Sequence, residues 1–298
     1  MAENQTVNRK YKDRLFRFIF QDKKDLLSLY NAVNHSSYED PDELEINTLD
    51  DVLYMTMKND VSFLIHDRMN LYEEQSSWNP NMPLRGLFYF AKMYAGYVSK
   101  HELNIYTDFV HRLPLPQFVV FYIGQDRKFD RRTLKLSDSF QAEEGMEPCL
   151  ECTAEVINIR IGHNEELIQS CRKLYEYSFL VCTIQDYCEQ GYSLELAVKL
   201  AIELCISKEI LKDFLLRYQA EVTDMILEEY DEERHMRSLQ KNSEERGRQE
   251  GRIEGRSEIN LLNQKLINLN RLDDLKRAAS DPVFQTHLMK ELGLLSQD

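Results

Sequence analysis

Asp60, Glu73 and Gln75 are the residues whose types and spacing point to chemistry. They fall in "NDVSFLIHDRMNLYEEQSSWNP", Asn59 to Pro80, where two apolar-alternating runs flank a polar turn. If 61–65 pairs with 71–75 across an even-numbered turn, directly opposed residues have numbers summing to an odd value. The side-chain period of two then sets Asp60, Ser62, Glu73 and Gln75 on one face, and Val61, Phe63, Tyr72 and Glu74 on the other. With Asp67 and Arg68 at the turn, Asp60 is expected opposite Gln75 and Ser62 opposite Glu73, leaving Asp60 and Glu73 as diagonal neighbours within reach of one ion. Two carboxylates and an amide are hard ligands, suited to Mg2+ or Mn2+ that keeps several waters and bridges to a phosphate. Such an ion polarises a phosphodiester and supplies hydroxide near neutral pH. Acids on an exposed hairpin face are also common without any function, so spacing by itself leaves both readings open. Glu74, directed away from Glu73, is expected to be solvated.

The elements that must position this hairpin can be read from periodicity. "YKDRLFRFIFQDKKDLLSLYNAVN" has helical spacing, with Asp22 placed as an N-cap between two helices or two parts of one. "HSSYEDPDELE" reads as a polar loop, and "TLDDVLYMTMK", "DVSFLIHD" and "NLYEEQSS" read as an antiparallel meander. "NPNMPLRGLFYFAKMYAGYVSKH" puts Leu84, Leu87, Phe88, Met93, Tyr94, Tyr97 and Val98 on a helical period, with Pro83 in the first turn. Phe118 to Ile123 is a nearly continuous apolar run, the mark of a strand buried on both faces, and Val156 to Ile161 is a second strand candidate. From Asn164 to Tyr230 the pattern is helical, broken near Gly191 and Ser207. An α/β fold with a mixed sheet, followed by a helical region, is the expected class. In the tail, Gly247, Gly251 and Gly255 recur four residues apart among charges, which makes either a weak helix or one open to close approach by a partner helix. Three segments result: a core at 1–162, a helical region at 163–235 and a charged Gly-punctuated tail at 236–298.

Charge narrows the function classes. The formal net charge of −14 argues against a general polyanion binder, because non-specific nucleic-acid affinity comes from Lys and Arg at phosphates. Its distribution is uneven: Met1 to Tyr30 is locally +3 and Asn31 to Gln75 is −9. A basic arm beside an acidic patch can serve a phosphate substrate plus a metal, or be two solvated faces. The pair Cys149 and Cys152 has zinc-ligand spacing, yet a four-ligand site needs a second pair and the other cysteines supply none. No apolar run approaches the ~18 residues of a membrane span. Nothing in the first thirty residues resembles a signal peptide, and a cytoplasmic protein without a membrane partner is expected.

The blocks "YKDRLFRFIF", "LLSLYNAVN", "NDVSF", "LYEEQSSWNPNMPLRGLFYFAKMY" and "LPLPQFVVFYIG" occur in an order that resembles the recombination-promoting nuclease (Rpn) family of putative transposases, within the PD-(D/E)XK nuclease superfamily. The resemblance covers roughly Tyr11 to Phe140. It implies a restriction-endonuclease-like α/β/α core, a Mg2+-dependent endodeoxyribonuclease activity connected with DNA recombination or mobile elements, and DNA as partner. Asp60 matches the motif Asp, Glu73 the motif Glu, and Gln75 stands where the superfamily usually has Lys. An amide can hydrogen-bond a water but brings no charge, so catalysis would lean on the metal or borrow a cation from Lys58 or Arg85. Asp13 corresponds to the first-helix acid that some members add to the metal site, although a first-turn acid needs no such role. The competing expectation is a catalytically impaired nuclease-fold protein that acts as an interaction module, with the tail as a self-association arm making a homo-oligomer.

Overall fold

The computed structural model of the chain describes residues 14–46, 61–125, 128–141 and 146–294. The chain divides into two units, Met1–Tyr230 and Asp231–Asp298. In the first, α1 (Arg14–Ile19) and α2 (Lys23–Asn34) precede β1 (Leu44–Ile46), β2 (Val61–Ile65) and β3 (Arg68–Gln75); α3 (Met82–Lys100) and β4 (Leu115–Tyr122) follow. Then come β5 (Arg131–Lys135), β6 (Thr153–Asn158), α4 (Glu165–Ser170), α5 (Arg172–Glu189) and α6 (Leu194–Ser207). The six strands form one mixed sheet in the order β1-β2-β3-β4-β6-β5. β1, β2 and β3 are antiparallel, β3, β4 and β6 run parallel, and β5 returns antiparallel on β6.

The period of two decides which core each strand residue enters. Val61, Phe63, Ile65, Tyr72, Val119, Phe121 and Ile157 pack with residues of α1, α2, α5 and α6. Leu64, Met69, Leu71, Phe118, Val120 and Val156 pack with Met82, Tyr89, Phe90 and Met93 of α3. β4 is therefore covered on both faces, as its unbroken apolar run predicts. α2 begins where expected: the Asp22 side chain accepts from the Lys24 amide at 2.8 Å, which satisfies one of the free N–H groups of the first turn. Pro83 lies in the first turn of α3, where its missing N–H costs nothing.

One reading is corrected, and two features go beyond the sequence reading. β1 forms in the segment expected to be a polar loop, because Leu44, 1% exposed, finds a partner in Ile65; the 48–58 run of the expected meander lies outside the described residues. α3 buries Met82, Gly86, Tyr89, Phe90 and Met93, while Leu84 and Phe88 are exposed. The buried stripe follows Gly86, where a Cβ would lie 2.6 Å from the Phe118 ring, so the helix meets the sheet along its smallest residue. β5 was not expected at all, since only Leu134 of "RRTLK" is buried.

The polar residues inside the sheet are organised as well. On the α2 side, Asn34 accepts from Gln117 at 2.9 Å and donates to the Tyr72 hydroxyl at 3.3 Å. Arg68 donates to the same Asn34 oxygen at 3.4 Å. Burial pushes the Tyr72 phenol far above its usual range, so it stays a neutral hydroxyl at every working pH.

α7 (Lys212–Asn268) begins in the first unit, with non-helical backbone at Tyr218, and stays helical through Gly247, Gly251 and Gly255. In the second unit α8 (Leu272–Ala278) and α9 (Pro282–Glu291) close a small core of Leu262, Leu266, Ala278, Leu288 and Met289.

Two glycines carry opposite predictions. A Cβ on Gly124, just past β4, would meet the Ser76 carbonyl oxygen and the Tyr122 hydroxyl at 2.4 Å. Gly124→Ala should destabilise the chain by roughly 1–3 kcal/mol in urea unfolding. Gly255, with nothing within 4 Å of its Cβ position, should gain about 0.5–1 kcal/mol as alanine. Equal effects at the two sites would contradict this packing.

Candidate active site

The hairpin turns on His66 and Asp67, with His66 in the left-handed region at φ 50. Ile65 pairs with Arg68, Ser62 with Leu71 and Val61 with Tyr72. The register is thus two residues away from the expected one, in which Ser62 faced Glu73. The left-handed residue closes the two-residue turn earlier. A shift of two leaves every side chain on its expected face, whereas a shift of one would have inverted them all.

Glu73 and Gln75 share the face of Leu71, directed at α3. Glu73 is 1% exposed, and its Oε2 lies 2.9 Å from Nη2 of Arg85 in the first turn of α3. The same nitrogen donates to the Tyr89 hydroxyl at 3.2 Å, one turn further on, and Nη1 lies 3.6 Å from the Met82 sulfur. Arg85 is thereby held by α3 itself while reaching across to β3. Gln75, at the open end of the strand, is half-buried beside Tyr122 of β4. Tyr89 and Tyr94 are packing residues: Tyr89 is 1% exposed, and the Tyr94 hydroxyl donates to the Pro114 carbonyl at 2.6 Å.

Glu74 overturns its expectation. It is on the opposite face, as parity requires, but it is 2% exposed rather than solvated, because β3 is covered on both sides. Adjacent carboxylates are thus buried in opposite directions. Asp13, Lys58 and Asp60 lie outside the described residues. Among the described residues no three His, Cys, Asp or Glu side chains gather into a cation site. The described donors on the α3 face include the Glu73 carboxylate and the Gln75 amide, whose oxygens are of the hard type that Mg2+ and Mn2+ take.

A cleft that the sequence reading did not single out lies over β5 and the start of α4. It has a volume of about 520 Å³ and is lined by His35, Asp130, Arg131, Gly162, Asn164 and Glu166, among others. Two of its lining residues have partners outside the lining: Asp130 meets His163 Nδ1 at 2.7 Å, and Arg131 Nη1 meets Glu155 at 2.6 Å. It shares no lining residue with the hairpin. Only the triplet "GHN" at 162–164, with both Gly162 and Asn164 at positive φ, hints at it in the chain.

Comparison of the chain with family models, curated proteins and solved structures found no match. No helix among the described residues is long and apolar enough to cross a membrane.

Removing one member of a buried ion pair leaves the other charge in a poor solvent. Arg85→Ala should therefore cost roughly 3 kcal/mol in urea unfolding, towards the low end of the usual range because Arg85 is 26% exposed. Adding Glu73→Gln in the same chain should recover part of that loss. Additive costs would mean that the pair does not hold the hairpin to α3.

Proposed function

We propose that the chain is a metal-dependent endonuclease that hydrolyses DNA phosphodiester bonds, with its centre on the α3 face of the β2–β3 hairpin. The observation that carries this reading is a carboxylate, Glu73, buried at 1% exposure on the same face as Gln75 and matched to a guanidinium. The second carboxylate would be Asp60. It immediately precedes Val61 in the chain, and Val61 pairs with Tyr72, the residue immediately before Glu73. The resemblance of the Tyr11 to Phe140 blocks to the recombination-promoting nuclease family supports the same assignment. So does a mixed sheet with helices on both faces, the architecture of a restriction-endonuclease-like core.

In this reading Asp60 and Glu73 hold Mg2+ or Mn2+. The bound ion supplies a Lewis acid to the phosphate and lowers the pKa of a bound water. Gln75, an uncharged donor and acceptor, orients that water by hydrogen bonding, the part of the usual lysine's work that needs no charge. Arg85 and Lys58 are the cations available to the scissile phosphate. Asp13 is a further acid for the centre, and the cytoplasm, where DNA is accessible in a recombining cell, is the proposed location.

The second reading is a nuclease-fold interaction module. A specific observation favours it: the 101–114 loop leaves Tyr106 and Val110 more than nine-tenths exposed, at 91% and 92%, together with Ile105 and Phe109. Hydrogen bonds to Asn104 from Tyr106 and Thr107 shape this loop from within.

Supercoiled plasmid incubated with Mg2+, Mn2+ or EDTA separates the two. The nuclease reading expects nicking or linearisation with either metal and none with EDTA. It also expects a loss of about a hundredfold or more in Asp60→Ala and in Glu73→Ala, the scale of removing a group that stabilises the transition state. Cleavage that survives both substitutions would remove the site, and no cleavage under any condition would favour the interaction module.

A further inference from the structure

We propose that Arg85 is a built-in counter-ion that competes with the divalent cation for Glu73, so that cation entry releases the Arg85 guanidinium towards the substrate phosphate. This rests on the metal-site reading above and adds a regulated step to it. A carboxylate as deeply buried as Glu73 is stabilised by a nearby positive charge. In the structure Arg85 is one source of that charge, with Nη2 at 2.9 Å from Oε2. A divalent ion on the same carboxylate would put further positive charge within a few ångströms of the guanidinium, in a water-poor site where like charges repel strongly. Either the ion binds weakly or the guanidinium withdraws.

The geometry permits withdrawal. Arg85 is 26% exposed, so its outer edge already meets solvent, where a phosphate would approach. Two further contacts tie it to its own helix: the Tyr89 hydroxyl at 3.2 Å and the Met82 sulfur at 3.6 Å. The Tyr89 contact gives the guanidinium a resting point that does not involve Glu73. A planar fork of five donors suits a phosphate as well as a carboxylate, so one side chain can serve both in turn. The pair thus accounts for two needs at once: the hairpin folds without an ion, and the cation for phosphate is delivered only when the metal is present.

The test is calorimetric titration of Mn2+ into the full chain, comparing wild type, Arg85→Met and Glu73→Gln. Arg85→Met should bind Mn2+ at least about tenfold more tightly than wild type, the scale on which one neighbouring charge shifts an ionic equilibrium, and Glu73→Gln should lose the binding. A second readout needs no variant to be stable under titration. In wild-type chain carrying 15N-labelled arginine, the Arg85 Nε–H signal, assigned by its absence in Arg85→Lys, should move on addition of Mg2+. If Mn2+ binding depends on Glu73 but Arg85→Met binds no more tightly and the Arg85 signal stays fixed, the counter-ion proposal fails and the metal site stands. If Glu73→Gln binds Mn2+ as wild type does, the metal site fails and the proposal with it.

Discussion

The carboxylate of Glu73 sits at 1% exposure in a strand covered on both faces, and a guanidinium from the next helix is set against it at 2.9 Å. An unpaired charge there would cost several kcal/mol, so the place of α3 on the sheet is constrained by electrostatics as well as by packing. Gly86, one residue after Arg85, lets the helix come close enough for the pair to form: its Cβ position is already occupied by the Phe118 ring. Tyr89, a turn later, then packs in the helix core and accepts from the same guanidinium nitrogen that meets Glu73. Charge pairing, close approach and core packing thus converge on the first two turns of one helix.

On the other face of the same strand, a side-chain network engages the buried Tyr72 hydroxyl. Tyr72 is 0% exposed, and its hydroxyl accepts from Asn34, which is also held by Gln117 and Arg68. Buried polar atoms are tolerated when paired, and here α2 and β4 contribute one member each and β3 two. Such a network specifies how α2 lies on the sheet more narrowly than the leucines around it, which would tolerate sliding.

Much of this was legible in the chain because it depends on local periods. The apolar run of β4, the Asp22 cap, the first-turn Pro83 and the common face of Glu73 and Gln75 all follow from spacing alone. What was not legible depends on long-range or backbone facts. The register hinged on His66 taking a left-handed conformation, which a histidine does not advertise. Glu74 looked solvated because its burial is caused by helices remote in sequence. Which stripe of α3 is buried did not follow from its apolar period, because Gly86 contributes no hydrophobicity, only room. β1 and β5 are short edge strands of three and five residues, with little apolar pattern to detect.

The proposed function rests on a buried acid, a strand-end amide and a partly exposed arginine on one face of the hairpin. The account stands or falls on whether a metal ion sits on Glu73. The most direct measurement is a crystal structure of the chain soaked in Mn2+, with anomalous scattering collected at the manganese edge. The account predicts one strong peak at coordination distance from the Glu73 carboxylate, on the α3 face of the hairpin. A peak elsewhere, or none there at saturating Mn2+, would contradict it.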